Sequence, residues 1–229
     1  NGDIRWFNKS YSRAVLGDPL VRTRLGALDI HSYCLHMPIP FFNNRMSFLK
    51  RFAKWMSKNY PDVPVNMSEW THMQGGRDKG MDSALVTANV MYEDLSVLNV
   101  ISWQHWIAVS EVNYCDGLIY INLDDKTFEM TKRYYVTGNF SKYVPAGSVR
   151  VDVACDDSEL RLLAFKYDDG CAVIVINSTK KEKELSLPEQ YSAVKSAVTD
   201  DNNDLREYDI ADPGHIKITP RSVTTIILR

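Results

Sequence analysis

The sequence predicts an α/β part followed by an all-β part. Over the first two thirds of the 229 residues, short apolar stretches alternate with amphipathic helical patterns. Three of the stretches end at Tyr33, Glu69 and Trp103, which lie 36 and 34 residues apart. A step of about 35 residues is typical of a (β/α)8 barrel, which divides ~250 residues among eight βα units. Beyond about residue 146 the pattern changes to short strands separated by turns, as in a β-sandwich.

The first predicted strand covers residues 26–33, and the first helix covers residues 44–60. The helix has apolar residues at 3.6-residue spacing on one face. These residues are Met46, Leu49, Phe52, Ala53 and Met56. The second strand covers residues 63–69 and leads into a glycine-rich loop over residues 74–80. This loop lacks the GK[ST] ending of a phosphate-binding loop.

The next helix is predicted to begin at Asp82 or Ser83, because such side chains cap helix N-termini, and to reach about Leu98. A third strand follows over residues 99–103, and a last amphipathic helix covers residues 127–142. Strands separated by helices predict right-handed βαβ units and a parallel sheet. Since three strands cannot close a barrel, this part is either an open sheet or a piece of a barrel.

Eight short strands are predicted in the last third of the chain, with turn signals such as Asp168-Asp-Gly170 between them. They cover residues 149–154, 160–167, 172–177, 182–187, 193–199, 205–208, 215–219 and 222–228. The junction is expected at residues 143–147. The predicted domains are therefore residues 1–145, in the α/β part, and residues 146–229, a β-sandwich.

Composition excludes several classes of function. The formal net charge is −2, so the sequence lacks the excess of basic residues that would indicate a nucleic-acid partner. The longest aliphatic run, Cys171–Ile176, is far shorter than the ~20 residues of a membrane span. The four cysteines have no CxxC spacing, and the geometry of the strands leads us to expect Cys155 and Cys171 to be free thiols. We expect neither a metal nor a cofactor. Because the chain begins at Asn1, we also expect a segment upstream of it.

Polar and aromatic residues mark the ends of all three predicted parallel strands. They are His31 and Tyr33, then Glu69 and Trp70, then Trp103, His105 and Trp106. Reactive groups of parallel barrels lie at the C-terminal strand ends. Aromatic faces beside hydrogen-bonding groups suit a sugar ring, whose C–H face stacks while its hydroxyls find partners. The pattern therefore favours a carbohydrate site.

Glu69 is the strongest catalytic candidate. It has the same strand parity as Val65 and Met67, so we expect its side chain to point toward the barrel axis. There it could attack an anomeric carbon or act as a base, although a glutamate paired with Arg or Lys fits the pattern equally well. A hydroxyl of Tyr33 donating to this carboxylate would keep it ionised and oriented.

The other candidates also have structural alternatives. His31 and Tyr33 could be ordinary buried residues, and Trp103 and Trp106 could be core aromatics rather than sugar platforms. His31 with Cys34 and His36 lacks any recognised metal-ligand spacing.

Five segments resemble glycoside hydrolase family 30. Residues 28–33, 64–70 and 102–106 are similar to the last three barrel strands of that family. Residues 132–150 resemble its junction between barrel and side sandwich, and residues 218–228 resemble the last sandwich strand. The resemblance implies the last three βα units of a (β/α)8 TIM barrel, followed by a β-sandwich side domain.

The resemblance also implies a retaining β-glycosidase with Glu69 as its nucleophile. His31 and Tyr33 match the motif of the sixth strand, and Trp103 matches the aromatic of the eighth; Trp70 and His105 complete the expected substrate-binding set. The acid/base glutamate of the family lies on the fourth strand, which has no counterpart here. We therefore expect the C-terminal part of an enzyme, inactive without the N-terminal part of its barrel.

Residues 103–106 and 116–119 resemble the endo-β-1,6-galactanase-like branch of the family most closely. The glucuronoxylanase and glucosylceramidase branches remain open, as does a non-catalytic carbohydrate-binding or structural module. An open α/β binding protein with an appended sandwich is a further alternative. The expected partner is a carbohydrate substrate. Since the glycans that the family degrades are extracellular, the parent protein is expected to be extracellular or periplasmic.

Overall fold

A computed structural model describes residues 9–33, 45–188 and 190–229. The contacts divide the chain into two compact units. The first unit contains residues 1–71 and 93–106, and the second contains residues 72–92 and 107–229. The second unit thus includes both the sandwich and the segment that precedes the predicted junction at residues 143–147.

The first unit is built around a three-stranded parallel sheet in the order β1-β2-β3. Its elements are α1 (Lys9–Gly17), α2 (Pro19–Arg22), β1 (Leu28–His31), α3 (Arg45–Asn59), β2 (Val65–Trp70), a π-helical turn (Asp94–Leu98) and β3 (Ser102–His105). The prediction of a parallel sheet is confirmed. Helices α1 and α2 precede the first predicted strand and were not predicted. Helix α3 buries Leu49, Phe52 and Met56 of the predicted stripe, together with Trp55.

Helix α4 (Met81–Glu93) continues directly into the π-helical turn, which ends where Asn99 adopts a left-handed conformation with φ of 52°. The predicted capping residues are wrong. Instead Asp78 satisfies the first turn, because its side chain accepts hydrogen bonds from the backbone N–H groups of Gly80 and Ser83, both at 2.8 Å.

The predicted helix over residues 127–142 is wrong in its first four residues. These residues form β6 (Thr127–Met130), which pairs antiparallel with β5 (Ile119–Asn122) in a small sheet that also contains β4 (Val109–Ser110). Helix α5 begins only at Lys132 and ends at Ser141. Its N-cap is Thr131, whose hydroxyl accepts a hydrogen bond from Tyr134 N–H at 3.3 Å.

The last third of the chain is a β-sandwich, as predicted. Its strands are β7 (Val149–Val151), β8 (Leu160–Tyr167), β9 (Gly170–Asn177), β10 (Lys183–Leu185), β11 (Ala193–Thr199), β12 (Arg206–Asp209), β13 (Ile216–Ile218) and β14 (Ser222–Leu228). Six of them form an antiparallel sheet in the order β12-β11-β14-β9-β8-β7, and β10 pairs with β13. Fully buried side chains, among them Val175, Ile218 and Ile226, form its core.

Two sequence expectations about chemistry can be compared with this fold. Cys155 and Cys171 are free thiols, as expected. Among the described residues, no helix combines the length and the hydropathy that crossing a membrane requires.

Candidate active site

The edge of the parallel sheet where Glu69 lies contains a register shift in β2. Ile30 of β1 pairs with Met67, but the next residue, His31, pairs with Glu69. The register of β2 also shifts against β3 between Met67 and Trp70. Strand β2 thus carries one extra residue relative to both neighbours, which is the pattern of a β-bulge.

The bulge changes which side of the sheet Glu69 occupies. Val65, Met67 and Trp70 are buried, whereas Asn66 and Glu69 are partly exposed. The parity argument from the sequence is therefore wrong, because Trp70 rather than Glu69 continues the alternation of Val65 and Met67. Glu69 instead lies on the opposite side, with Asn66.

A row of polar side chains identifies that side of the sheet, which we call the Glu69 face. The Asn66 amide donates to Asp29 Oδ1 at 2.9 Å, and Ser102 Oγ donates to Asn66 Oδ1 at 2.8 Å. These three residues come from β2, β1 and β3 respectively. Since strand side chains alternate, His31 lies on the same face as Asp29, one step closer to the C-terminal edge.

His31 and Tyr33 both approach Glu69 on this face. Tyr33 donates its hydroxyl hydrogen to Glu69 Oε1 at 2.9 Å, and His31 Nδ1 lies 3.6 Å from the same oxygen. The histidine distance is beyond hydrogen-bonding range. Both contacts use Oε1, and the Glu69 side chain is 27% exposed. The hydrogen bond from Tyr33 therefore orients the carboxylate through Oε1.

Trp70, Trp103 and His105 lie on the other side of the sheet. Trp103 pairs with Met67, and its ring centroid lies 6.1 Å from that of Trp70 and 6.2 Å from that of His105. Its indole N–H donates to Asp94 Oδ2 at 3.0 Å. This placement differs from the prediction, which put these three residues at the substrate pocket with Glu69. The difference arises because Ser102, next to Trp103, lies on the Glu69 face.

Trp106 takes the position that the sequence analysis gave to Trp103. The alternation from Ser102 through Gln104 places Trp106 on the Glu69 face, and its side chain is 49% exposed. Its backbone N–H donates to the carbonyl of Trp70 at 2.9 Å, so the parallel ladder extends to this residue. The sequence analysis named Trp106 with Trp103 as a candidate sugar platform but left Trp106 out of the substrate-binding set.

A buried cluster of charged residues contacts the segment that carries His31 and Tyr33. Ser32, between them, donates its hydroxyl hydrogen to Asp94 Oδ2 at 2.7 Å. Asp94 Oδ1 accepts from Arg45 at 2.6 Å, and the same guanidinium reaches Glu93 at 2.5 Å. Burial raises the pKa of the Asp94 carboxyl, and the nearby Arg45 charge opposes that shift. The sequence analysis did not identify this cluster.

A metal site at the end of β1 has no support among the residues that the structure describes, which contain no group of three or more candidate ligands. Of the three residues considered in the sequence, Cys34 and His36 lie outside the described residues.

Two family models match this chain in the expected order. The model of O-glycosyl hydrolase family 30 matches residues 27–120, and the model of the glycosyl hydrolase family 30 beta sandwich domain matches residues 147–226. Together they cover about three quarters of the chain. The chain belongs to glycoside hydrolase family 30. Its partial barrel and side sandwich are therefore the C-terminal region of the family 30 fold.

Three named proteins are similar to this chain. It is 25% identical over 199 residues to lysosomal acid glucosylceramidase of Mus musculus, covering 79% of this chain and 36% of the relative. A family 30 endoxylanase of Clostridium papyrosolvens superposes with a TM-score of 0.71 at 17% identity, over 96% of this chain and 53% of that one. An endo-β-1,6-glucanase superposes with a TM-score of 0.63 at 20% identity, over 99% and 46%. The chain thus spans about half the length of these structures or less.

Proposed function

We propose that this chain carries the nucleophile of a retaining β-glycosidase and that Glu69 is this nucleophile. The observation that supports the proposal most directly is the hydrogen bond from Tyr33 to Glu69 Oε1 at the C-terminal edge of the parallel sheet. Reactive groups of α/β barrels lie at this edge. Membership in glycoside hydrolase family 30 supports the reaction class.

The proposed reaction has two displacement steps. In the first step, Glu69 Oε2 bonds to the anomeric carbon while the bond to the leaving-group oxygen breaks, and a second carboxylic acid protonates that oxygen. In the second step, the same group deprotonates a water molecule, which attacks the anomeric carbon and releases Glu69. We propose that the second carboxyl comes from residues outside 1–229. Asp29, on the same face, is already engaged by Asn66.

The proposed substrate is a β-1,6-linked galactan outside the cell. The resemblance of residues 103–106 and 116–119 to the endo-β-1,6-galactanase-like branch supports this choice. The similarity to an endo-β-1,6-glucanase is consistent with a β-1,6 linkage. Trp106 would provide the stacking surface, since it is exposed on the Glu69 face. An extracellular or periplasmic location follows from this substrate.

The test uses the natural protein at its full encoded length, assayed on β-1,6-galactan, glucuronoxylan and an aryl β-glucoside. We expect turnover of one substrate with retention, as NMR of the first-formed anomer would show. Glu69→Gln should lower kcat by about three orders of magnitude or more. Asp62→Asn is the matched control, because it makes the same change of acid to amide at an exposed ion pair with Arg22.

A mechanism-based fluoro-sugar should label Glu69, as peptide mass spectrometry would show. Labelling of another carboxylate would overturn the assignment. Carbohydrate binding without turnover of any substrate, with Glu69→Gln binding as tightly as the wild type, would favour a non-catalytic binding module instead.

A further inference from the structure

We propose that Asp94 and Arg45 are positioning residues for the nucleophile, acting through Ser32; this inference rests on the proposed function of Glu69. Ser32 lies between the two residues that approach Glu69, and its side chain is fully buried. Its hydroxyl donates to Asp94 on the side away from Glu69. A single residue therefore connects the buried ion pair to both neighbours of the nucleophile.

Ser32 is fixed at its backbone as well as at its side chain. The guanidinium of Arg45 lies 3.0 Å from Ser32 Oγ and 3.3 Å from the Ser32 carbonyl oxygen. A displacement of Ser32 would move His31 and Tyr33 together, since they are its covalent neighbours. A shift of about 1 Å in a reacting geometry can cost on the order of 100-fold in rate.

We expect the cluster to orient the end of β1 more than it stabilises the fold. A buried ion pair contributes little net stability compared with apolar residues of similar volume. Asp94, however, accepts hydrogen bonds from Ser32, Arg45 and Trp103, which come from three separate elements of the first unit. Asp94 is also the first residue of a π-helical turn, a local structure that often occurs at functional sites. The three donors fix the Asp94 carboxylate, which in turn holds Ser32 at the end of β1.

The experiment compares Asp94→Asn and Ser32→Ala with Asp62→Asn in the full-length natural protein. Each variant is assayed on the substrate that the wild type turns over, and its melting temperature is measured. We expect Asp94→Asn to lower kcat by about tenfold or more, with KM changed by less than about twofold. Ser32→Ala should lower kcat by a smaller factor, because it keeps the Arg45–Asp94 pair. Asp62→Asn should leave both constants unchanged.

A double variant separates positioning from simple loss of stability. If Asp94 acts through the end of β1, combining Asp94→Asn with Tyr33→Phe should lower kcat by clearly less than the product of the two single effects. Equal or larger combined losses would overturn the proposal. So would variants that melt at lower temperature but keep kcat within about twofold of the wild type. If Asp94→Asn does not fold, the same measurements on Ser32→Ala, alone and combined with Tyr33→Phe, decide the question.

Failure of the proposed function gives a different result. Full activity in Glu69→Gln would overturn the assignment of the nucleophile, and the positioning role with it. Loss of activity in Glu69→Gln together with unchanged kcat in Asp94→Asn and Ser32→Ala would overturn only the positioning role.

Discussion

Among the residues that the structure describes, Arg133 is the largest fully buried side chain. Its replacement tests how much its hydrogen bonds stabilise the segment after the third parallel strand. Arg133 lies in helix α5 within the second unit. Its guanidinium donates to the carbonyl oxygens of Asp78 at 2.5 Å and Gly117 at 2.7 Å, to Ser83 Oγ at 2.6 Å, to Tyr120 Oη at 3.0 Å and to Cys115 Sγ at 3.1 Å. One side chain thus joins the loop before α4, the loop before β5 and helix α5.

Arg133→Met keeps much of the volume and removes every donor. The carbonyls of Asp78 and Gly117 would each lose a charge-assisted bond, and an unsatisfied buried acceptor costs about 1–3 kcal/mol. Removing the buried charge also removes its desolvation penalty, which offsets part of this loss. We therefore expect the free energy of unfolding to fall by about 3 kcal/mol. Urea denaturation followed by circular dichroism of the full-length protein measures it.

Arg206→Met is the matched control for this substitution. Arg206 is exposed, and its guanidinium carbon lies 5.3 Å from the ring centroid of Tyr208. Its replacement should change the free energy of unfolding by less than about 0.5 kcal/mol. Equal losses in the two variants, or a loss below about 1 kcal/mol for Arg133→Met, would refute the reasoning from orphaned acceptors.

Three further predictions follow from the same structure. Trp106→Ala should weaken oligosaccharide binding by about tenfold in titration calorimetry, whereas Trp103→Ala should chiefly lower the melting temperature. Weaker binding in Trp103→Ala and a lower melting temperature in Trp106→Ala would instead support Trp103 at the substrate pocket, as the sequence predicted. Asn139→Ala should reduce the free energy of unfolding by about 2 kcal/mol, because the buried Asn139 amide donates hydrogen bonds to Ala197 in β11 and Thr225 in β14. An unchanged midpoint of urea denaturation would contradict this. Hydrogen bonds from Lys142 and Tyr143 lower the pKa of Glu207 from 4.5 to about 2. The stability that the ionised Glu207 contributes is therefore present above pH 4.5 and is lost as the pH falls toward 2. Melting curves of Glu207→Gln at low salt should therefore lose less stability over that interval than the wild type, and parallel losses would disprove the effect.

The fold was predictable where the signal is local. All eight sandwich strands lie within a few residues of their predicted bounds, because turn residues such as Asp168 and Asp169 separate short runs of apolar residues. The prediction for Thr127–Met130 was wrong because its structure depends on a contact distant in the sequence. Its residues fit either a strand or the first turn of a helix, and pairing with Ile119–Asn122 decides between them. That partner is visible only in three dimensions.

The ionic cluster behind the site could not be predicted from the sequence. Arg45 and Asp94 are separated by 49 positions, and Ser32 and Asp94 by 62. Nothing in the composition of either segment marks a residue as buried and paired. Arg133 gave no signal for the same reason, since four of its five acceptors lie in other parts of the chain, at least 16 positions away.

The sequence analysis expected Glu69 to lie beside Tyr33, which the structure shows, but the parity that it assigned to Glu69 was wrong. Counting alternate residues from Met67 assumes a regular strand, whereas β2 contains one extra residue before Trp70. Without that residue, Glu69 would share the buried face of Met67, and Trp70 would lie on the polar face with Asn66. The bulge inverts both placements at once. It brings the carboxylate to Tyr33 and keeps the indole buried, so this local irregularity in the strand is the feature on which the geometry of the candidate site depends.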